Sequence, residues 1–200
     1  ARHATVSHTA SLAGSDAGAQ AFLDRLGIAR LLDLPAFLET LKLLHCHGPL
    51  ASNHIASISC SGGEASLIAD LADANDLVFP PLSRMQADRL RGALGPMVAL
   101  ANPLDYHTYI WRDTEAMTKA WSGLTGDGIA MTFSIVDYPH TDASDWECAT
   151  QAALGVRANG APFAVVATLP ELMPEHVAGT LMDGGVVPFM GLSEALSAVK

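Results

Sequence analysis

Near the start of the chain, apolar residues recur at helical spacing. A Gly14-Ser15-Asp16 start signal, with Ser15 or Asp16 as N-cap, leads into a helix that runs to about Leu26. That helix turns Phe22, Leu23 and Leu26 inward and stops at Gly27. Ile28 to Leu32 reads as a short strand. Asp33 then caps a second helix, Pro35 to about Leu44, whose Phe37, Leu38, Leu41 and Leu44 share one face. Two helices and one strand cannot cover their own apolar faces. Residues 1–46 are therefore expected to be the mainly helical C-terminal tail of a preceding domain, a second flavodoxin-like one, followed by a linker over 47–53 that contains Gly48-Pro49.

From His54 the pattern alternates between strand and helix, as a parallel sheet covered on both faces requires. Ile55 to Ser59 is a short β-prone run that breaks at Cys60-Ser61-Gly62-Gly63 and becomes helical from about Glu64, with Leu67, Ile68 and Leu71 at buried-face spacing. Further strands are expected at Val98–Ala101, Ile129–Val136, Phe163–Thr168 and Val186–Phe189. The last is edge-like because Pro188 is poorly placed in a central strand. Helices are expected at Ser83–Leu94, Asp113–Leu124, Ser144–Ala158, Pro174–Met182 and Ser193–Val199. This order reads as an α/β, flavodoxin-like doubly wound domain over 54–200, with a parallel five-stranded sheet and helices on both faces. Ligands of such sheets gather at the carboxyl ends of the strands. Cys60–Gly63, Asn102–His107, Asp137–His140 and Thr168–Glu171 all fall there.

Composition narrows the function classes. The 200 residues carry a net charge of −10, and the 11 lysines and arginines form no cluster, which argues against a nucleic-acid surface. Three cysteines (Cys46, Cys60 and Cys148) without metal-ligand spacing fit a reducing cytoplasm. No apolar run approaches the length of a membrane span.

The strand–glycine–helix turn at Ser61, Gly62 and Gly63 carries the clearest chemistry. It leaves backbone N–H groups pointing out of a helix N-terminus, where they and the helix dipole attract an anion, usually phosphate. An ordinary βα turn with glycines for tightness has the same pattern. Glu64 suits the dipole as a stabilising first-turn acid. His8, in Ser7-His8-Thr9, and His107, after Asp105 and Tyr106 at a strand end, are candidate functional imidazoles. Asn102 and Asp105 are expected to shape the neighbouring loop. His45, Cys46 and His47 lack a partner pair at metal spacing, so no metal site is expected. Ser59-Cys60-Ser61-Gly62-Gly63 also approaches a hydrolase nucleophile elbow, with Ser61 as nucleophile, Asp137 or Asp142 as orienting acid and His140 or His176 as base. The elbow prefers glycine where this chain has Ser59.

Several stretches together resemble the NDP-forming acyl-CoA synthetases, relatives of succinyl-CoA synthetase. Ser7-His-Thr-Ala-Ser-Leu-Ala-Gly-Ser-Asp16 and Leu26-Gly-Ile-Ala-Arg30 look like the family's Ser-His-Thr-Gly-x-Leu-Ala-Gly segment. Ser61-Gly-Gly-Glu-Ala-Ser-Leu-Ile-Ala-Asp70, Pro80-Pro-Leu-Ser83, Ala101-Asn-Pro-Leu-Asp105 and Pro162-Phe-Ala-Val-Val166 are similar to its CoA-ligase domain. The resemblance implies that His8 accepts a phosphoryl group and relays it between a nucleotide and an acyl phosphate, which CoA converts to the thioester. The helix at Gly62-Gly63 would be one of two aimed at the phosphorylated ring. The family's cofactors and partners would then be CoA, ATP with Mg, and a small carboxylic acid, with CoA-binding and ATP-grasp domains in cis or in trans; a homo-oligomer is compatible. Ala10 stands where the family often has glycine. A serine hydrolase on Ser61 and a non-catalytic CoA- or acyl-CoA-binding module are the alternatives.

Overall fold

The computed structural model describes residues 14–200, so His8 lies outside the described residues. The chain divides into two compact units, one ending at Leu34 and the other spanning residues 35–200. The first unit contains helix α1, Asp16–Leu26. Ser15 caps it by accepting the Gly18 N–H at 3.0 Å, and Gly27 ends it in the left-handed conformation that glycine adopts without penalty. Arg30 pairs with Asp16 at its start. The α1 helix buries none of its residues, and the strand expected at Ile28–Leu32 does not form. A strand needs a partner ladder, and no described segment pairs with this one.

The second unit opens with α2, Leu34–Cys46, of which all but Leu34 belong to it. Then follow β1 (Ile55–Ser59), α3 (Gly62–Asp73), α4 (Arg84–Leu94), β2 (Leu104–Asp105), α5 (Thr114–Gly123), β3 (Met131–Ile135), α6 (Glu147–Ala158), β4 (Phe163–Ala167), α7 (Glu175–Asp183), β5 (Val187–Met190) and α8 (Leu192–Val199). The five strands form one sheet in the order β2-β1-β3-β4-β5, and every pairing is parallel. The strands β1, β3 and β4 are buried along their whole length, as central strands of a two-faced sheet must be. Side-chain alternation divides the core into two clusters. One face gathers Ile58, Trp121, Phe163 and Leu181; the other gathers Ile55, Ile68, Phe133, Phe189 and Leu196. Among the described residues no helix is long and apolar enough to cross a membrane.

Several elements lie elsewhere than local pattern places them. The α3 helix begins at Gly62, two residues before Glu64, because Ser61 serves as its N-cap. A short 3-10 turn over Ser144–Trp146 takes the first residues of the expected helix at 144, leaving α6 to start at Glu147. The strand expected at Val98–Ala101 is irregular, and pairing with β1 occurs only at Leu104 and Asp105. Asn102 occupies the vacated length of ladder. Its Oδ1 accepts the Ser57 N–H at 3.2 Å, and its Nδ2 donates to the carbonyls of Ile55 and Pro80, both at 3.1 Å. One side-chain amide thus gives β1 the acceptor and the donor that a neighbouring backbone would supply.

At the far side of the sheet β5 is the edge, as Pro188 leads one to expect. Its outward groups are met by side chains of α2. Lys42 Nζ donates to the Pro188 carbonyl at 2.6 Å, Glu39 accepts the Met190 N–H at 3.2 Å, and Cys46 Sγ lies 3.9 Å from the Val186 carbonyl. Glu39 and Lys42 also pair with each other at 2.6 Å, both largely buried. Burial holds the Glu39 carboxyl above the ordinary carboxylate range, against the pull of Lys42. In this way α2 protects an edge that would otherwise invite pairing with another chain.

Candidate functional site

The carboxyl ends of β1, β2 and β3 meet at the first turn of α3. The strand β1 carries the chain straight into it: Ser59 Oγ donates to the Ser61 carbonyl at 3.0 Å, and Ser61 Oγ accepts the Glu64 N–H at 3.4 Å. These two contacts shape the turn and leave the N–H groups of Gly62 and Gly63 exposed at the helix start. Glycine at position 62 has a structural reason. A Cβ there would stand 3.3 Å from Asp105 Oδ2, tighter than most such contacts, so the bare backbone allows the close approach.

Asp105, the last residue of β2, lies in register with Ser59. Its Oδ1 accepts the His107 N–H at 3.0 Å, and this turn holds His107 at a positive φ of 60° with its Nδ1 3.9 Å from the same oxygen. The structure therefore brings Ser61, Gly62, Gly63, Asp105 and His107 to one edge. Asn102 belongs to the sheet rather than to this edge.

Pattern alone missed Glu64. Its side chain is more than a first-turn acid: Oε2 is buried with no hydrogen-bond partner among the described residues. Burial first, then the neighbouring Asp137 and Asp105 carboxylates, push its carboxyl up to about 7. Glu64 therefore holds its proton more tightly than an ordinary carboxyl. Burial also raises the Cys60 thiol, with Glu64 and Asp105 adding to the shift. That keeps Cys60 protonated and poorly nucleophilic. Asp137, just past β3, accepts both the Thr168 N–H at 2.7 Å and the Thr168 hydroxyl at 2.6 Å, tying the ends of β3 and β4 together. The available signal was positional, since Asp105 and Asp137 each follow or end a strand at the edge where Glu64 sits.

The hydrolase constellation is not assembled. Ser61 has an ordinary extended backbone (φ −137°, ψ 121°) instead of a strained elbow, and its Oγ is engaged in capping α3. Both Asp137 oxygens are engaged by Thr168. His140, His176 and Asp142 line a separate cleft in which Ser61 has no part. His45, Cys46 and His47 close the opposite end of the domain, where His47 Nε2 lies 3.3 Å from the Phe163 carbonyl and Cys46 meets the β5 edge.

No protein-family model matches the chain. An acetate–CoA ligase (ADP-forming) of Methanocaldococcus jannaschii is 29% identical to it over 104 residues, or 52% of this chain. The chain is homologous to part of an ADP-forming acetate–CoA ligase. The match spans only 15% of that ligase. Solved structures agree on the fold. The dinucleotide-forming acetyl-coenzyme A synthetase 1 of Ca. Korarchaeum cryptofilum, in complex with phosphate and ADP, superposes with a TM-score of 0.76 over 99% of this chain at 16% identity. The PH0766 protein of Pyrococcus horikoshii OT3 gives a TM-score of 0.72 over 94% of this chain at 22% identity. In both comparisons the chain spans 43% of the longer protein.

Proposed function

We propose that this chain supplies the phosphohistidine segment and the flavodoxin-like CoA-ligase domain of an NDP-forming acyl-CoA synthetase. The sheet order β2-β1-β3-β4-β5 supports the flavodoxin-like assignment, because it is one of the two common doubly wound orders. Homology to the ligase supports the reaction class. The observation that carries the site is the start of α3, where Gly62 and Gly63 present free N–H groups at the carboxyl edge of a parallel sheet.

In this scheme the neutral imidazole of His8 attacks the γ-phosphorus of ATP and ADP leaves. The phosphoryl group passes from His8 to a carboxylate, giving an acyl phosphate. The CoA thiol then attacks the acyl carbon, and phosphate departs as the thioester forms. Ser61, Gly62 and Gly63 hold the phosphoryl oxygens through backbone N–H groups and the α3 dipole, an interaction worth about 0.3–2 kcal/mol in partly buried geometry. The elevated proton affinity of Glu64 reduces the negative charge that the anion meets. Asp105 and His107 border the same edge as loop contacts. Nucleotide and Mg are assigned to other parts of the complete enzyme. Among the described residues, no three His, Cys, Asp or Glu side chains gather in a metal-binding cluster.

The test is phosphorylation of the whole protein carrying this chain with γ-labelled ATP and Mg, beside a His8→Ala version. The expected result is an acid-labile label that is absent from His8→Ala and is discharged by a carboxylic acid together with CoA. No label on a demonstrably folded parent overturns the relay.

A further inference from the structure

A cleft of about 530 Å³ opens beside the β3 end of the sheet, a volume in the range of small-molecule sites. Its floor holds Tyr138 and Thr150, each about 1% exposed, whose hydroxyls lie 3.1 Å apart. Two hydroxyls carry two hydrogens, and their mutual bond uses one. The other has no acceptor among the described residues, so a buried O–H is left to seek one in the cleft. Burial keeps the Tyr138 hydroxyl protonated, since it lies well above the ordinary phenol range.

The walls add a specific chemistry. His140 and His176 face the cleft from different elements, and each imidazole can donate or accept according to tautomer. Asp142 and Glu147 add carboxylates. Asp142 accepts the Ser144 N–H at 2.9 Å, which holds its carboxyl below the ordinary range, and Glu147 accepts the Gln151 amide at 2.7 Å. A carboxylate has about four lone-pair positions, so each keeps room for further donors. Pro139, Pro174 and Val177 supply apolar surface between these polar groups. Among the described residues, neither lysine nor arginine lines the cleft. Phosphates and carboxylates are recognised by cations or by converging backbone N–H groups, whereas the side chains of these walls offer negative acceptors.

From this combination we propose that the cleft binds a neutral, hydroxyl-rich ligand of the sugar or polyol class. Ligand hydroxyls would donate to Asp142 and Glu147, one ligand oxygen would accept the spare Tyr138–Thr150 hydrogen, and the C–H face would pack on Pro174 and Val177. This does not depend on the ligase assignment, because none of the residues invoked belongs to the α3 anion site.

Amide chemical-shift titration of the full chain with D-ribose, and separately with inorganic phosphate, tests the proposal. Ribose is expected to shift resonances of residues 138–150 and 174–177, and phosphate to leave them unmoved. The double substitution Asp142→Asn with Glu147→Gln, both at exposed side chains that tolerate it, is expected to weaken ribose at least tenfold while the rest of the spectrum stays native. Adenosine separates the two sources of the same diol. Equal affinity for ribose and adenosine assigns a free sugar, and at least tenfold tighter adenosine assigns a nucleoside; either supports the proposal. Shifts produced by phosphate but not ribose, no response to ribose or adenosine, or undiminished ribose binding in the double variant would overturn it.

Discussion

Replacing Asn102 by alanine tests the claim that a side chain completes the sheet. The substitution removes three hydrogen bonds at once: the acceptor for the Ser57 N–H and the donors to the Ile55 and Pro80 carbonyls. Ser57 and Ile55 are buried on β1, where water cannot easily replace the lost partner. A net hydrogen bond is worth about 0.5–1.5 kcal/mol, and an orphaned buried group costs about 1–3 kcal/mol, so the expected loss is about 3 kcal/mol. For a domain of this size that corresponds to a fall in Tm of roughly 6–12 °C. Urea denaturation followed by far-UV circular dichroism would report it as a lower midpoint at unchanged slope. Asn102→Asp is a sharper control. It retains the acceptor for Ser57 but turns a negative oxygen toward two carbonyls, so it should destabilise at least as much above the carboxylate titration range. A loss below about 1 kcal/mol for Asn102→Ala at unchanged slope would refute the ladder role, since three hydrogen bonds cannot vanish so cheaply.

Other expectations concern the edge and the site. Lys42→Ala leaves Glu39 buried without its cation and should cost about 3–5 kcal/mol, whereas the paired change Glu39→Leu with Lys42→Met should recover part of that loss; thermal melts compare them. The Lys42→Ala protein should also self-associate more readily in light scattering, because the β5 edge loses a protecting donor. Gly62→Val should weaken inorganic phosphate binding at least tenfold in calorimetry by placing a branched side chain between Asp105 and the free N–H groups. Its circular dichroism spectrum should remain native. Glu64 has a folded proton affinity raised from the ordinary 4.5 to about 7, so the folded state binds the extra proton between those values and stability falls as pH rises through that window. Discounted for solvent screening, the contribution is roughly 1–2 kcal/mol. Glu64→Gln should therefore raise Tm relative to the parent more at pH 8 than at pH 5; an equal effect at both would show that Glu64 does not titrate abnormally.

Much of this protein is legible in local pattern, because helix period, capping residues and apolar runs act within a few positions. The runs at 55–59, 129–136 and 163–168 found β1, β3 and β4; Ser61 with its glycines marked the start of α3, and Pro188 marked an edge. The glycine turn also pointed to the carboxyl edge of the sheet, since a parallel strand that ends in a turn must place it there. What local pattern could not supply was partnership across the fold. Val98–Ala101 is β-prone, yet the place beside β1 went to the Asn102 amide and to Leu104–Asp105, because a ladder is decided by which hydrogen-bonding groups come opposite the strand. Residues 35–46 read as the tail of another region, and only β5 reveals that Glu39 and Lys42 protect it from nearly 150 positions away. Glu64 looked like a dipole-matched acid until strand order brought Asp105 and Asp137 beside it. Sequence determines the local conformations and the end of the sheet where chemistry gathers. Burial, register and the charges that face one another arise only when distant segments pack, and these decide which carboxyl keeps its proton and which side chain becomes part of the sheet.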